Sequence, residues 1–146
     1  MPHKLQALDL WRNVLVSSVN QAGPDLSSRQ LALLLTVYLT PPPHTVRGLA
    51  STLSISKPAI SRALDRLGRL GFVRRKRDDA DRRNVLVQRT VKGSVFLTEF
   101  SQLVLTSQQA AMAEAAVEAE ASPADIPPQP LPEPASNELA LAGPPD

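Results

Sequence analysis

Residues 45–92 read TVRGLASTLSISKPAISRALDRLGRLGFVRRKRDDADRRNVLVQRTVK, and this stretch decides the fold. Two short helical patterns separated by a tight turn come first. A strand, a charge-dense loop and a second strand follow. This order predicts a helix-turn-helix with a β-hairpin wing, and it indicates a protein that binds double-stranded DNA at specific sequences. The expected fold class is mainly α (α+β), a winged helix-turn-helix with N- and C-terminal dimerisation helices.

The second helix of the pair has the features of a recognition helix. Ser56 can accept a hydrogen bond from the first turn, where the missing N–H of Pro58 costs nothing. Ile60, Leu64 and Leu67 recur at spacings of four and three residues, which places them on one buried face. The opposite side is expected to enter the major groove, because an arginine fork can reach the O6 and N7 of guanine together. The residues expected to contact DNA here are Ser56, Lys57, Pro58, Ser61, Arg62 and Arg66.

The first helix of the pair is expected to brace the second. Val46, Leu49, Ala50 and Leu53 give it one apolar face. Residues 52–56 then break the helix, and Ile55 is expected to fill the space between the two helices. In a helix-turn-helix, the first helix crosses the DNA backbone while the second reads the bases.

The wing follows a helix stop at Gly71. Phe72 and Val73 are expected to begin a strand, residues 78–83 to turn the chain back, and residues 84–88 to form a half-buried return strand. A hairpin that carries arginines can reach a minor groove, where the negative potential attracts them. The wing residues expected to contact DNA are Arg77, Arg82 and Arg83, with Asp81 steadying one of the arginines.

Each of these features also has a simpler interpretation. The recognition helix alone could be an ordinary amphipathic helix with a solvated basic face. The wing alone could be a charged hairpin whose Asp and Arg residues pair with each other. Found together in this order, the helix pair and the wing favour DNA binding.

The wing resembles that of the MarR family, the multiple-antibiotic-resistance type of bacterial regulator. The family motif is Asp-x-Arg, five residues, then Leu-Thr. Here Asp81-Arg82-Arg83 is followed by five residues and then by Arg89-Thr90, so that Arg89 stands where the family usually has leucine. Lys92-Gly93 matches the family's usual start of the next long helix. The similarity covers roughly residues 5–110. It implies a homodimer on a pseudo-palindromic operator, acting as a repressor and released by a small-molecule effector or an oxidant.

The resemblance also implies an effector space between the dimerisation helices and the DNA-binding lobe. The side chains considered for it are Trp11, Arg12 and Tyr38. The alternative for the two aromatic residues is that they are simply part of an apolar interface core.

The charge distribution agrees with a polyanionic partner. The chain has a net charge of +2, but residues 44–92 hold thirteen Lys and Arg against four Asp, whereas residues 93–146 hold eight acidic residues and no Lys or Arg. Phosphate neutralisation by Lys and Arg provides most of the non-specific affinity for DNA. The chain has no cysteine, which excludes a disulfide framework, a thiolate metal site and a cysteine redox switch.

Residues 1–121 are expected to form one DNA-binding and dimerisation domain. A helix over residues 5–20 carries a wide apolar arc, which is typical of a helix that contacts both its own domain and a partner subunit. A second helix over residues 29–39 is expected to be central to the core. Pro41-Pro42-Pro43 then forces an extended path into Thr45. A long helix starts near Val91, and residues 122–146 are expected to form a disordered, Pro-rich acidic tail. No second C-terminal helix, which the family usually has, is visible.

Other functional classes are less well supported. The two histidines lie in no ligand or triad spacing, and there is no Gly-rich phosphate loop. No enzyme activity, cofactor or metal is therefore expected. No signal peptide or membrane-spanning run is visible, so a cytoplasmic protein, associated with the bacterial nucleoid when bound to DNA, is expected. Two alternatives remain open: an architectural DNA-binding protein, or an adaptor without effector control.

Overall fold

The computed structural model of the protein describes residues 2–121 and Pro130. The tail predicted over residues 122–146 lies, apart from Pro130, outside the described residues. Five helices and three strands form the described part of the chain. They are α1 (Pro2–Asn20), α2 (Ser28–Leu39), β1 (His44–Thr45), α3 (Val46–Leu53), α4 (Lys57–Arg69), β2 (Val73–Arg77), β3 (Val85–Arg89) and α5 (Val91–Ala121).

Local capping sets the helix-turn-helix. The Thr45 hydroxyl accepts a hydrogen bond from the Gly48 N–H at 3.0 Å and so starts α3. Ser54 ends α3 in the left-handed conformation, with φ of 53°. The Ser56 hydroxyl then accepts from the Ala59 N–H at 3.4 Å, as the sequence predicted. The turn between α3 and α4 is therefore fixed by its own residues, which is why it could be predicted from the sequence.

The three strands form one antiparallel sheet in the order β1-β3-β2. The hairpin of β2 and β3 is the predicted wing. Its first strand begins at Val73, and Phe72, which was expected to open that strand, is buried just before it. The two-residue strand β1 was predicted only as an extended path. It pairs His44 with Val87 and Thr45 with Leu86, and so ties the start of α3 to the wing.

The hydrophobic core lies between α2, the helix-turn-helix and the base of the wing. Its members are buried apolar side chains from all of these elements: Leu33, Leu34, Val37, Leu49, Ala50, Ile60, Ala63, Leu64, Leu67, Phe72, Val73 and Val87. The predicted central position of α2 is confirmed, since three of its side chains are fully buried. The helix starts at Ser28, capped by a reciprocal pair of hydrogen bonds between Ser27 and Gln30. This capping box satisfies two backbone donors at once.

A hydrogen-bonded joint connects α2, the wing and α5. The Tyr38 hydroxyl lies 2.8 Å from the Phe72 carbonyl oxygen and accepts from the Thr90 N–H at 2.8 Å. The Thr90 hydroxyl donates to the Gly71 carbonyl and accepts from the Gly93 N–H, which caps the start of α5. A Cβ at residue 93 would overlap the Tyr38 hydroxyl and the Phe72 carbonyl. Glycine is therefore required at this close approach.

Arg89 fills the position that the MarR pattern gives to leucine. Its guanidinium donates to the carbonyl oxygens of Val37, at 2.9 Å, and Thr40, at 2.8 Å. It also lies 5.8 Å from the centre of the Tyr38 ring. The side chain thus satisfies carbonyls at the C-terminal end of α2, where a cation is favourable. Through these hydrogen bonds, Arg89 connects the end of β3 to the C-terminal end of α2.

Helices α1 and α5 pack against each other and leave much apolar surface uncovered. Val14 of α1 is fully buried, whereas Leu8, Trp11, Leu15 and Val19 are between 43% and 66% exposed. These four, at spacings of three and four residues, form one stripe along the free side of α1, here named the α1 stripe. Among the described residues, no helix is both long enough and apolar enough to cross a membrane.

Candidate nucleic-acid interface

The exposed side of α4 is polar and basic. Lys57, Pro58 and Arg62 are exposed or half-buried at its N-terminal end, and Ser61 and Arg66 follow on the same side, whereas the opposite side of the helix is packed into the core. Ser56 is at the N-cap. Five of the six residues predicted from the sequence therefore come together around the N-terminal half of one helix, and Arg66 lies in its last turn. An exposed helix with this distribution has the dimensions to enter a major groove about 12 Å wide.

An ion pair connects the wing to α4. The Arg75 guanidinium of β2 donates to the Asp65 carboxylate of α4. Both side chains are partly exposed, so the pair contributes at most about 1 kcal/mol to stability. Its consequence is geometric, because it holds the base of the wing against the recognition helix. Sequence spacing alone does not indicate this pair, since the two residues are ten positions apart and belong to different elements.

The wing loop is a defined turn with exposed arginines. The Asp78 N–H donates to the Asn84 carbonyl, and the Asn84 N–H donates to the Asp81 carbonyl. The Asp81 carboxylate also accepts from the Arg83 backbone N–H at 3.1 Å and lies 3.3 Å from its side-chain Nε. Arg82 and Arg83 are both exposed on this loop, and Arg77 is exposed at the end of β2. The loop therefore presents cations at the tip of a rigid hairpin.

The positive charge around α4 and the wing is largely uncompensated. Of the thirteen Lys and Arg in residues 44–92, only Arg75 and Arg83 pair with a carboxylate within the part of the chain that the structure describes. A surface of this kind attracts polyanions and is screened as the ionic strength rises. The simpler interpretation of the wing, a hairpin neutralised by its own ion pairs, accounts for only one arginine of its loop.

The three side chains considered for an effector are dispersed. Tyr38 is held in the joint between α2, Thr90 and Phe72. Trp11 is 48% exposed on the α1 stripe, and Arg12 pairs with Asp9 one turn earlier on α1. None of the three lines the cleft that lies between the end of α1 and the start of α5. That cleft has a volume of about 270 Å³ and is lined by Ser18, Gln21, Ala22, Gly23, Pro24, Phe72, Lys92, Val95, Phe96, Glu99, Phe100 and Leu103.

The middle of the chain is similar to one known protein family. The model of the MarR family matches residues 25–84, which run from just before α2 to the end of the wing loop. Wild-type MarR from E. coli, in its apo form, is 26% identical, with a TM-score of 0.56 over 77% of this chain and 78% of that chain. No curated protein sequence matches the chain.

Two structures of S. aureus MepR share the fold at lower identity. A MepR mutant is 18% identical, with a TM-score of 0.64 over 77% of this chain and 80% of that chain. The MepR–DNA complex is 20% identical, with a TM-score of 0.56 over 80% of this chain and 86% of that chain. The similarity extends well beyond residues 25–84, and therefore includes much of the flanking helices.

Proposed function

We propose that the chain, whose residues 25–84 match the model of the MarR family, is a DNA-binding transcriptional regulator. It recognises double-stranded DNA through α4 and the wing, and it acts as a repressor at a pseudo-palindromic operator. The observation that carries this proposal is the uncompensated basic surface centred on the exposed side of α4. The MepR–DNA complex, whose fold this chain shares, supports the choice of DNA as the polyanion.

The proposed regulator is a homodimer, and the α1 stripe supports this assembly. Four large apolar side chains on one side of a helix cost free energy when they face water, at roughly 25 cal/mol per Å². Leu105 and Met112 of α5 are also exposed. A second copy that covers α1 and α5 would bury these side chains. A dimer can also provide the spacing of about 34 Å between two copies of α4 that successive major grooves on one face of DNA require.

The proposal includes release of the operator by a small-molecule effector. The cleft between α1 and α5 supports it, because its wall includes Phe72, which also packs in the core of the DNA-binding lobe. A ligand in this cleft would contact both the dimerisation helices and the base of the wing. The involvement of Trp11, Arg12 and Tyr38 stays a prediction. No residue is proposed to catalyse a reaction, and the DNA-bound form would lie in the cytoplasm at the nucleoid.

Selection from a random duplex library tests the proposal. Purified full-length protein is incubated with the library, bound DNA is recovered and sequenced, and the enriched sequences are aligned. A sequence-specific regulator will enrich one motif with two-fold symmetry. An architectural protein, the alternative, will enrich no motif or only a base-composition bias. Mapping the motif onto the genome then identifies the genes it controls.

A further inference from the structure

A groove lies between the recognition helix α4 and the start of α2. It is lined by Ser27, Ser28, Arg29 and Gln30 at the start of α2 and by Ala59, Arg62 and Ala63 of α4, and its volume is about 400 Å³. Ala59 and Ala63 are buried, and their small side chains let the start of α2 approach α4 closely. The polar rim of the groove is therefore made by the first turn of α2 and by Arg62.

Arg29 gives this groove a second cation. It is exposed, and within the described part of the chain it forms no ion pair. None of the described residues that line the groove is acidic. Two arginines on two different helices thus border one polar groove without a neutralising carboxylate. Arg62 also belongs to the outward side of the recognition helix, so the groove opens on the same side of the molecule as the DNA-facing surface.

The dimensions of DNA indicate what would lie next to this groove when α4 is in the major groove. Packed helix axes lie about 8–10 Å apart, whereas the major groove is about 12 Å wide, so a helix centred in the groove has roughly 6 Å to either edge. An element packed beside α4, and not behind it, would therefore lie near a phosphate backbone. The wing occupies one side, where Arg75 is tied to Asp65. The start of α2, with Arg29, lines the groove that Arg62 also borders.

We infer that Arg29 binds a backbone phosphate of the DNA next to the bases that α4 reads. This inference rests on the proposed function and assigns a role to a residue that sequence reasoning left out. A contact of this kind contributes affinity that does not depend on sequence, and it adds about 0.9 to the slope of log K against log salt concentration. A homodimer has two such contacts, so the slope should contain about two units from Arg29.

The test uses full-length protein and two labelled duplexes, one of random sequence and one with the selected motif. Arg29→Gln removes the charge, keeps a side chain of similar length and leaves the Ser27–Gln30 capping box in place. Arg29→Lys keeps the charge. Lys4→Ala is the matched control, because it removes one exposed cation from α1, outside the basic segment. Affinity is measured by fluorescence anisotropy over a series of salt concentrations, and circular dichroism checks that each variant is folded.

The expected result is specific to a phosphate contact. Arg29→Gln should lower the salt slope by about two units per dimer and weaken both duplexes by the same factor, whereas Arg29→Lys should retain most of the slope. Lys4→Ala should leave the slope unchanged. A wild-type slope in Arg29→Gln overturns the inference while the proposed function stands. A loss of affinity confined to the motif duplex also overturns it, because it would make Arg29 a base-reading residue. Failure of the wild-type protein to bind either duplex overturns the proposed function itself.

Discussion

At the residue scale, we expect base discrimination to depend most on Arg62, the arginine in the N-terminal half of α4. Arg62→Ala should cost about 1–3 kcal/mol on the selected motif and much less on random DNA, because a bidentate hydrogen bond to guanine forms only where guanine is present. Competition binding of the two duplexes measures the difference. Arg62→Lys is the control, since it keeps the charge but not the fork. An equal reduction in affinity for both duplexes would mean that Arg62 contacts only phosphate.

A second residue-scale prediction concerns the joint at Tyr38. Tyr38→Phe removes the hydroxyl that accepts from the Thr90 N–H and contacts the Phe72 carbonyl. The free energy of unfolding should fall by about 1–3 kcal/mol, because a partly buried donor and acceptor are left without a partner. Urea denaturation followed by circular dichroism measures it. Thr98→Ala, which removes an exposed hydroxyl on α5, should change the value by less than about 0.5 kcal/mol. Similar destabilisation in both variants would contradict the role of the joint.

The wing can be tested as an element. Replacing both Arg82 and Arg83 with alanine should lower the salt slope by about 0.9 for each phosphate that these side chains neutralise in the wild type. The fold should be unaffected, since the Asp78–Asn84 backbone hydrogen bond does not involve these side chains. Anisotropy titrations over a salt series provide the measurement. If slope and affinity both match the wild type, the wing does not touch DNA.

Elements whose geometry is set by residues close in the sequence could be predicted from the sequence. The turn between α3 and α4, with Ser56 as the cap and the Ile60, Leu64 and Leu67 face, follows from spacing and capping alone. Strand β1 could not be predicted, because two residues show no periodicity and its partner β3 lies about forty residues later. The hydrogen bonds of Arg89 to the α2 carbonyls were missed for the same reason. Tertiary proximity, and not local propensity, creates these features.

The candidate site likewise contains some residues that could be assigned from the sequence and others that could not. Residues of α4 could be assigned because helical spacing decides which side faces out. Arg29 and Arg75 could not, because their importance depends on how α2 and β2 pack beside α4. The Tyr38 hydroxyl is held by hydrogen bonds and does not line the cleft between α1 and α5, and this position likewise follows from contacts with residues more than thirty positions away.

At the scale of the whole molecule, the α1 stripe predicts that two copies of the chain assemble into a homodimer. Leu8→Asp together with Leu15→Asp places two charges in the stripe, and burying them in an interface would cost several kcal/mol. Sedimentation should change from a dimer to a monomer near 15.7 kDa, with helix content retained. Leu39→Asp is the control, because Leu39 is 75% exposed at the end of α2, and it should stay dimeric. A double variant that remains dimeric would place the interface elsewhere.

In the proposed complex, two copies of α4 read one two-fold site, with the wing and the start of α2 beside them. Hydroxyl-radical footprinting of the full-length protein on the selected motif tests this arrangement most directly. Two equivalent protected regions are expected on one face of the duplex, with centres about 10 base pairs apart, as two recognition helices in successive major grooves require. Protection of the flanking backbone on both sides of each region is also expected. A single unrepeated footprint, or uniform protection along the whole duplex, would contradict this arrangement.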